Sequence, residues 1–350
     1  MVTSLAFSAL FLWLALSPRF AIGLYTRLLL TPKKYCGTEE DRSLLQSLNG
    51  EEVWFFNRAG NKLRGFFVGD REAKSMLLYS MGNDGDIEKR AETLQLLVNS
   101  GLSVFIYEYA GYGKSEGKPS LSGLHRDARD AFDFVCGKYN KNAADIILYG
   151  ESLGGAISSK LAIEREVGAL ILKSTFASLI RISRELCPWL YLTGYPSCLY
   201  PDLDNCKAVR LAGVPTLIVH GWGDRKIKWR HALQIEKSCP TQTQLIWLRS
   251  SRHGHMSQSD MYRFAESVAS FANWYHCKQS MDLVNLKLDI MQETGELDSE
   301  SLLALGEECT NASALLKTQA QILASLVEAV PQPTPEILAA EAAAYASSEA

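Results

Sequence analysis

The sequence predicts an α/β domain built on an eight-stranded, mostly parallel sheet with helices on both faces, a short lid and a helical C-terminal extension. From about residue 51, short apolar runs of β type alternate with longer helical patterns, as in a parallel sheet covered by helices. The later runs are continuously apolar, as strands buried on both faces must be. The length, 350 residues, suits one large core with decorated ends, because single hydrophobic cores stop growing near about 250–300 residues.

The chain opens on an apolar run, Leu5 to Leu16, broken at Ser17-Pro18-Arg19 and resumed from Phe20 to Leu30. Neither half alone reaches the roughly 20 residues of a spanning helix, and Met1-Val2-Thr3-Ser4 lacks the positive charge of a signal peptide. Residues 4–30 are expected to attach the protein to a membrane. They would either span it, tolerating Pro18 and Arg19, or lie in the interface with Trp13, Tyr25 and Arg27 as anchors. A helix packed on the domain is the alternative. Residues 1–34 are thus set apart as an apolar membrane-anchor or signal-like segment, and the compartment stays open.

The catalytic-size domain is expected over residues 35–278. Val53–Phe56 and Leu63–Val68 pair across Ala59-Gly60-Asn61, a hairpin-like turn, and the parallel series follows. Its strands are Met76–Tyr79, Val104–Tyr107, Ile146–Tyr149, Ala169–Leu172, Leu217–His220 and Leu245–Leu248. Helices are expected near Asp86–Asn99, Leu121–Tyr139, Ser152–Glu164, Trp229–Lys237 and Ser257–Tyr275. One interval breaks the rhythm. Between Lys173 and Pro215 the chain is rich in Leu, Tyr, Pro and Trp, and so long a connection in a compact domain is usually functional. A lid over about 176–210 is expected there. After His276 the strand signal stops, and residues 279–350 read as a helical extension: Met281–Met291, Ser299–Val330 and Thr334–Ala346, with Pro331-Gln332-Pro333 between the last two. That extension is expected to serve protein partners.

Composition excludes some functions. A formal net charge of −3 gives no basic footprint for nucleic acid. The eight cysteines are scattered without a C-x-x-C pair, so neither a zinc nor a redox site is expected. They read as reduced thiols, with a disulfide among Cys187, Cys198 and Cys206 as the rival reading.

The strongest chemical signal is Gly150-Glu151-Ser152-Leu153-Gly154, which follows a buried strand and opens a helix. This is a nucleophile elbow: glycines flank the serine because the turn is too tight for neighbouring β-carbons. It exposes the Ser152 hydroxyl at the carboxyl edge of the sheet and leaves the Leu153 N–H for an oxyanion. A serine hydroxyl needs a base to take its proton, so an acid and a histidine are required later in the chain. Asp224 stands just past the strand ending at His220, in His220-Gly221-Trp222-Gly223-Asp224. After the last strand comes Arg252-His253-Gly254-His255; His253 is the expected base and His255 the alternative. A metal reading of the His-x-His pair needs further ligands at suitable spacing, and none is visible. His125, His220, His231 and His276 are read as structural or surface residues. The second oxyanion donor is expected in Ser80-Met81-Gly82-Asn83-Asp84-Gly85, at Asn83, with Asp84 as alternate.

These residues resemble the α/β-hydrolase superfamily, in particular abhydrolase-domain proteins related to the yeast Bem-type hydrolases and to membrane-bound protein depalmitoylases, a group often labelled serine aminopeptidase-like. The resemblance covers roughly residues 50–276. Tyr107-Glu108-Tyr109-Ala110-Gly111-Tyr112-Gly113-Lys114-Ser115-Glu116-Gly117 is similar to the family's D-Y-R-G-Y-G-x-S-x-G, and Val214-Pro215-Thr216-Leu217-Ile218-Val219-His220-Gly221 with Asp224 to its P-V-L-I-I-H-G-x-x-D. Two blocks depart from the pattern. Met81 replaces the histidine of H-G-N-A, and Ser250-Ser251-Arg252-His253-Gly254-His255 replaces G-x-G-H-N-D. Oxyanion donors are backbone groups, so activity should survive the first change. The resemblance implies an α/β-hydrolase fold with Ser152, Asp224 and His253 at the family's triad positions and no cofactor. Ester or thioester hydrolysis of an acyl-protein or lipid-like substrate is the leading expectation. An aminopeptidase-like amidase, with Glu151 and Asp84 as the acidic groups for a substrate amine, is one alternative; a catalytically silent scaffold acting through its tail is another.

Overall fold

The computed structural model describes residues 30–32, 37–186 and 203–294, and in the C-terminal region residues 310, 311, 313, 314 and 317, which are helical. The segment expected to reach the membrane before Leu30, the middle of the expected lid and nearly all of the helices expected after Ser299 lie outside the described residues. Among the described residues, no helix is long and apolar enough to cross a membrane.

A helix not anticipated from the sequence, α1 (Glu39–Ser47), precedes the sheet. Thr38 caps it, its hydroxyl accepting the Asp41 N–H at 3.1 Å while the Asp41 carboxylate accepts the Thr38 N–H at 2.8 Å, which satisfies two orphan donors reciprocally. The strands are β1 (Glu51–Phe56), β2 (Lys62–Val68), β3 (Met76–Ser80), β4 (Val104–Tyr107), β5 (Ile146–Glu151), β6 (Ala169–Lys173), β7 (Thr216–Gly221) and β8 (Thr243–Leu248). They form one sheet in the order β1-β2-β4-β3-β5-β6-β7-β8. β1 pairs antiparallel with β2, the register closing at Phe56 against Lys62, and β2 pairs antiparallel with β4; all other pairs are parallel. Each strand expected from the sequence is present within a residue or two. The central strands are buried throughout and apolar up to their carboxyl ends, whereas β1, at the sheet edge, alternates and turns Glu52, Trp54 and Phe56 outward.

The connecting helices are α2 (Ala91–Asn99), α3 (Leu121–Lys138), α4 (Leu153–Glu164), α5 (Leu179–Leu186), α6 (Asn205–Ala212), α7 (Arg230–Ser238) and α8 (Gln258–Thr294). α2 packs on α8, and α3, α4, α6 and α7 pack in series, giving two helical layers on the sheet. The helical pattern expected from Asp86 begins with a 3₁₀ turn, Glu88–Arg90, before α2. The Asp86 carboxylate accepts the Lys89 N–H at 3.1 Å there, tightening the first turn. The expected break after Tyr275 is absent: α8 runs unbroken to Thr294. Nothing from Gln258 to Thr294 is glycine or proline, and Gly295 follows, so the helix has no stop signal before that point. Within the expected lid interval, α5 and α6 are helices, and residues 187–202 lie outside the described residues. Cys136, Cys206, Cys239 and Cys277 are free thiols.

The core encloses large aromatics fully, Tyr79, Tyr107, Tyr109, Tyr112, Tyr149, Phe105, Phe264 and Phe271, and burial of each phenylalanine contributes on the order of 1.5–3 kcal/mol. The chain steps from β3 outward to β4 and then back past β3 to β5. In an open α/β sheet the carboxyl ends of strands beside such a reversal frame a crevice, and the ends of β3 and β5 are Ser80 and Glu151.

Candidate active site

β5 ends at Glu151 and α4 begins at Leu153, so Ser152 alone makes the turn between them. Its backbone lies at φ 55° and ψ −118°, a conformation costing on the order of 1–3 kcal/mol for a residue with a side chain and kept only where the surroundings enforce it. Here they do: the Ser152 N–H donates to the Lys173 carbonyl at 2.9 Å, and the Thr175 hydroxyl donates to the Ser152 carbonyl at 2.6 Å. The flanking glycines are required by close approach. A β-carbon on Gly150 would strike the backbone of Gly154 and Gly155, and one on Gly154 the carbonyls of Ser80 and Met81. The elbow thus presses directly on the loop after β3.

The structure brings Ser152, His253 and Asp224 into one line. Ser152 Oγ lies 3.2 Å from His253 Nε2, and His253 Nδ1 lies 2.8 Å from Asp224 Oδ2. Asp224 is fully enclosed, while the His253 side chain keeps 18% exposure. Burial pushes the Asp224 carboxyl up, but the hydrogen bond and charge of His253 and the Ile227 N–H outweigh it and hold it below the ordinary carboxylate range. An ionised Asp224 accepts from Nδ1–H, which leaves the Nε2 lone pair for the serine proton. The other Asp224 oxygen, Oδ1, accepts the N–H groups of Lys226 and Ile227, both at 2.9 Å.

His255, the alternative base, is exposed. Its backbone pairs with that of Arg252 around Gly254, at φ 72°, in a tight turn with His253 at its bend. His220 also lies near Asp224, 3.8 Å from Oδ2, but its Nε2–H is directed to the Ile227 carbonyl at 2.8 Å, and burial lowers its pKa to about 4. It serves as a neutral strut of the acid loop. His231 accepts the Ala177 N–H at 3.0 Å on Nδ1, in keeping with a structural role.

The loop expected to supply the second oxyanion donor stands against Ser152, since a β-carbon built on Gly82 would lie 3.4 Å from Ser152 Cβ. Asn83 turns its side chain away: Oδ1 accepts the Tyr112 hydroxyl at 2.9 Å and the Thr31 N–H at 3.3 Å. Tyr109 donates to the Met81 carbonyl at 3.1 Å, and its ring meets that of Tyr112 edge-to-face, so the tyrosines after β4 brace this loop. Leu153 is the first residue of α4, where backbone N–H groups have no carbonyl a turn earlier.

Two supports escaped the sequence reading. Beneath the elbow, buried Glu151 accepts the Tyr79 hydroxyl at 2.7 Å and the Lys173 ammonium at 3.0 Å and is ion-paired, without a hydrogen bond, to Arg90 Nε at 3.0 Å. Arg90 also reaches Asp84 at 3.2 Å, and Lys89 reaches Asp84 at 2.9 Å. Burial alone would raise both carboxyls, yet the cations dominate: Arg90 and Lys173 hold Glu151 far below its ordinary range, and Arg90 and Lys89 bring Asp84 down to about 2. Both acids expected to receive a substrate amine are therefore engaged by cations of the chain itself. The second support is Asp260, near the start of α8, whose carboxylate accepts the Arg249 and Ser250 N–H groups at 3.1 and 2.8 Å and the Ser251 hydroxyl at 2.8 Å. It fixes the loop that delivers His253. The first signal is not local, since Arg90 and Glu151 are neighbours only after folding; the second spans 9–11 residues but carries no motif. Among the described residues, no cluster of three or more His, Cys, Asp or Glu could hold a metal ion.

A family profile described as serine aminopeptidase, S33, matches residues 71–195. The mouse alpha/beta hydrolase domain-containing protein 17C is 30% identical over 220 residues, covering 62% of this chain and 67% of that protein. A Mycobacterium tuberculosis protein is 35% identical over 177 residues, covering 50% of this chain, and the chain spans 62% of that relative's length. Among solved structures, an esterase of Pyrococcus furiosus superposes with a TM-score of 0.56 at 17% identity, covering 69% of this chain and 97% of that one. An alpha-beta hydrolase of Vibrio vulnificus gives 0.55 at 20% identity, covering 67% and 86%. At those identities the likeness is one of fold. Sheet order, elbow and the mouse relative agree: the chain belongs to the α/β-hydrolase family.

Proposed function

We propose that this protein is a serine hydrolase that cleaves an ester or thioester through an acyl-enzyme on Ser152. The observation that carries the reading is the unbroken hydrogen-bond relay from Ser152 Oγ through His253 to the enclosed Asp224. Ser152 Oγ attacks the acyl carbon as its proton passes to His253 Nε2, and Asp224 stabilises the imidazolium that forms. The carbonyl oxygen, now negative, is held by the backbone N–H groups of Asn83 and Leu153. Collapse expels the alkoxide or thiolate, which takes the proton from His253. Water then attacks the acyl-serine, with His253 again removing and returning a proton, and the acid leaves.

Support for an acyl chain comes from the sequence: an apolar N-terminus over residues 4–30 and the Leu-, Tyr- and Trp-rich stretch around Pro188-Trp189-Leu190-Tyr191-Leu192. Both suit a lipid-like or acyl-protein substrate presented at a membrane, with the C-terminal helices available to a protein partner. The amidase alternative loses its basis in the engagement of Glu151 and Asp84, and a silent scaffold has no use for an aligned relay. Labelling by a fluorophosphonate, with turnover of a short soluble ester in parallel, tests the reading. Wild-type protein should label and turn over, and Ser152→Ala should do neither. Labelling that persists in Ser152→Ala would move the nucleophile elsewhere.

A further inference from the structure

An oxyanion hole assembled from two chain segments works only if those segments keep their spacing, because each donor must lie about 2.7–3.1 Å from the developing charge. Here one donor is on the loop after β3 and the other on the elbow after β5. Arg90, itself buried at 8% exposure, touches the residue next to each. Its Nη2 lies 3.2 Å from Asp84 Oδ1, one residue past Asn83, and its Nε lies 3.0 Å from Glu151 Oε2, one residue before Ser152. The guanidinium lies under the loop: β-carbons built on Gly85 and Gly82 would stand 3.2 and 3.7 Å from it. Glu151 is in turn fixed to the sheet by Tyr79 and Lys173, so that end of the span cannot drift.

We propose that Arg90 is a positioning residue that sets the gap between the two halves of the oxyanion hole by bridging Asp84 on the loop to Glu151 under the elbow. The inference rests on the reading of Ser152, Asn83 and Leu153 given above. A guanidinium suits the task because its rigid plane meets both carboxylates at once, hydrogen-bonding Asp84 and standing 3.0 Å from Glu151 as an ion pair without a hydrogen bond, which the point charge of a lysine does not. A buried ion pair is an uncertain source of stability, whereas a fixed geometry at this place has a direct use in catalysis. Lys89 pairs with Asp84 at the surface only and does not reach the elbow.

Asp84→Ala is the discriminating variant. It keeps its backbone N–H, removes the loop end of the bridge, and alters a side chain that is 48% exposed, so the fold should hold. Its kcat on a soluble ester should fall on the order of tenfold or more with KM within about twofold, the pattern of an interaction made in the transition state. Affinity for a trifluoromethyl ketone, whose serine adduct places an oxyanion in the hole, should fall by a similar factor. Arg90→Lys should lose on the order of 10²-fold in kcat, as a misplacement near 1 Å does. Lys89→Ala should match wild type. Loss in Lys89→Ala equal to that in Asp84→Ala would overturn the proposal by making the surface pair responsible. Asp84→Ala and Arg90→Lys both indistinguishable from wild type, beside an inactive Ser152→Ala, would overturn it alone. Turnover by Ser152→Ala would overturn it together with the reading on which it rests.

Discussion

Replacing Asp224 by asparagine tests the relay at its most enclosed point. Oδ1 accepts two backbone N–H groups, from Lys226 and Ile227, and Oδ2 faces His253 Nδ1 at 2.8 Å. An asparagine carbonyl can take over the two backbone donors, which forces its NH2 group toward His253 Nδ1. Nδ1 must then accept, the imidazole proton moves to Nε2, and Nε2 can no longer take the Ser152 proton. A wrong tautomer of this kind costs about 10⁴-fold in kcat, equivalent to about 5.5 kcal/mol of barrier. The shape is conserved, so KM and the circular dichroism spectrum should stay close to wild type. The acid limb of stability should change as well. Because the folded Asp224 carboxyl is held below its ordinary range, it stabilises the fold above the unfolded carboxylate range, and that contribution disappears as pH falls through the folded value. Wild type and Asp224→Asn should therefore differ in melting temperature at neutral pH and converge in acid. A loss of less than about tenfold in kcat would refute the tautomer argument.

His253→Ala should cost orders of magnitude in ester turnover and His255→Ala little, measured side by side; the reverse order would transfer the base to His255. Asp260→Ala strands three donors of the loop that carries His253, so thermal unfolding should show a loss of about 1–3 kcal/mol, with kcat reduced although Asp260 touches no reacting atom. Removal of residues 1–29 should release an active hydrolase into the soluble fraction. A longer deletion through residue 34 should impair it, because Leu30 is buried in the core and Thr31 holds Asn83. Full-length protein recovered wholly in the soluble fraction would sink the membrane attachment.

The parts of the site that were legible in the sequence are those whose signal is local. A buried strand, a Gly-flanked serine and a helix announce Ser152 within a dozen residues, and Asp224 and His253 each follow an apolar strand by a short loop. The eight strands were legible for the same reason. Much of what escaped is held by contacts far apart in the chain: Arg90 to Glu151 and Tyr112 to Asn83 join elements whose adjacency depends on sheet order and helix placement, while Asp260 reaches back 9–11 residues to Arg249–Ser251 without a motif to announce it. Glu151 and Asp84 show the hazard: as isolated letters beside the nucleophile they suggested acids for a substrate amine, and the cations that occupy them come from β6 and the turn before α2. The length of α8 was readable in principle from the absence of glycine and proline up to Thr294, but the change of composition after His276 masked that continuity.

The entry point of the chain has a consequence of its own. Thr31 exchanges hydrogen bonds with Asn83, whose neighbour Gly82 lies against Ser152, so the peptide leading into the domain arrives at the rim of the reaction centre. Each residue of such a tether adds at most about 3.5 Å of reach. If residues 1–29 attach the protein to a membrane, as proposed, a substrate resident on that surface meets Ser152 at an effective concentration set by the length of that segment rather than by diffusion from bulk. Lengthening the segment before Leu30 with a flexible insert would dilute that advantage for a surface-bound substrate while leaving turnover of a freely dissolved ester unchanged.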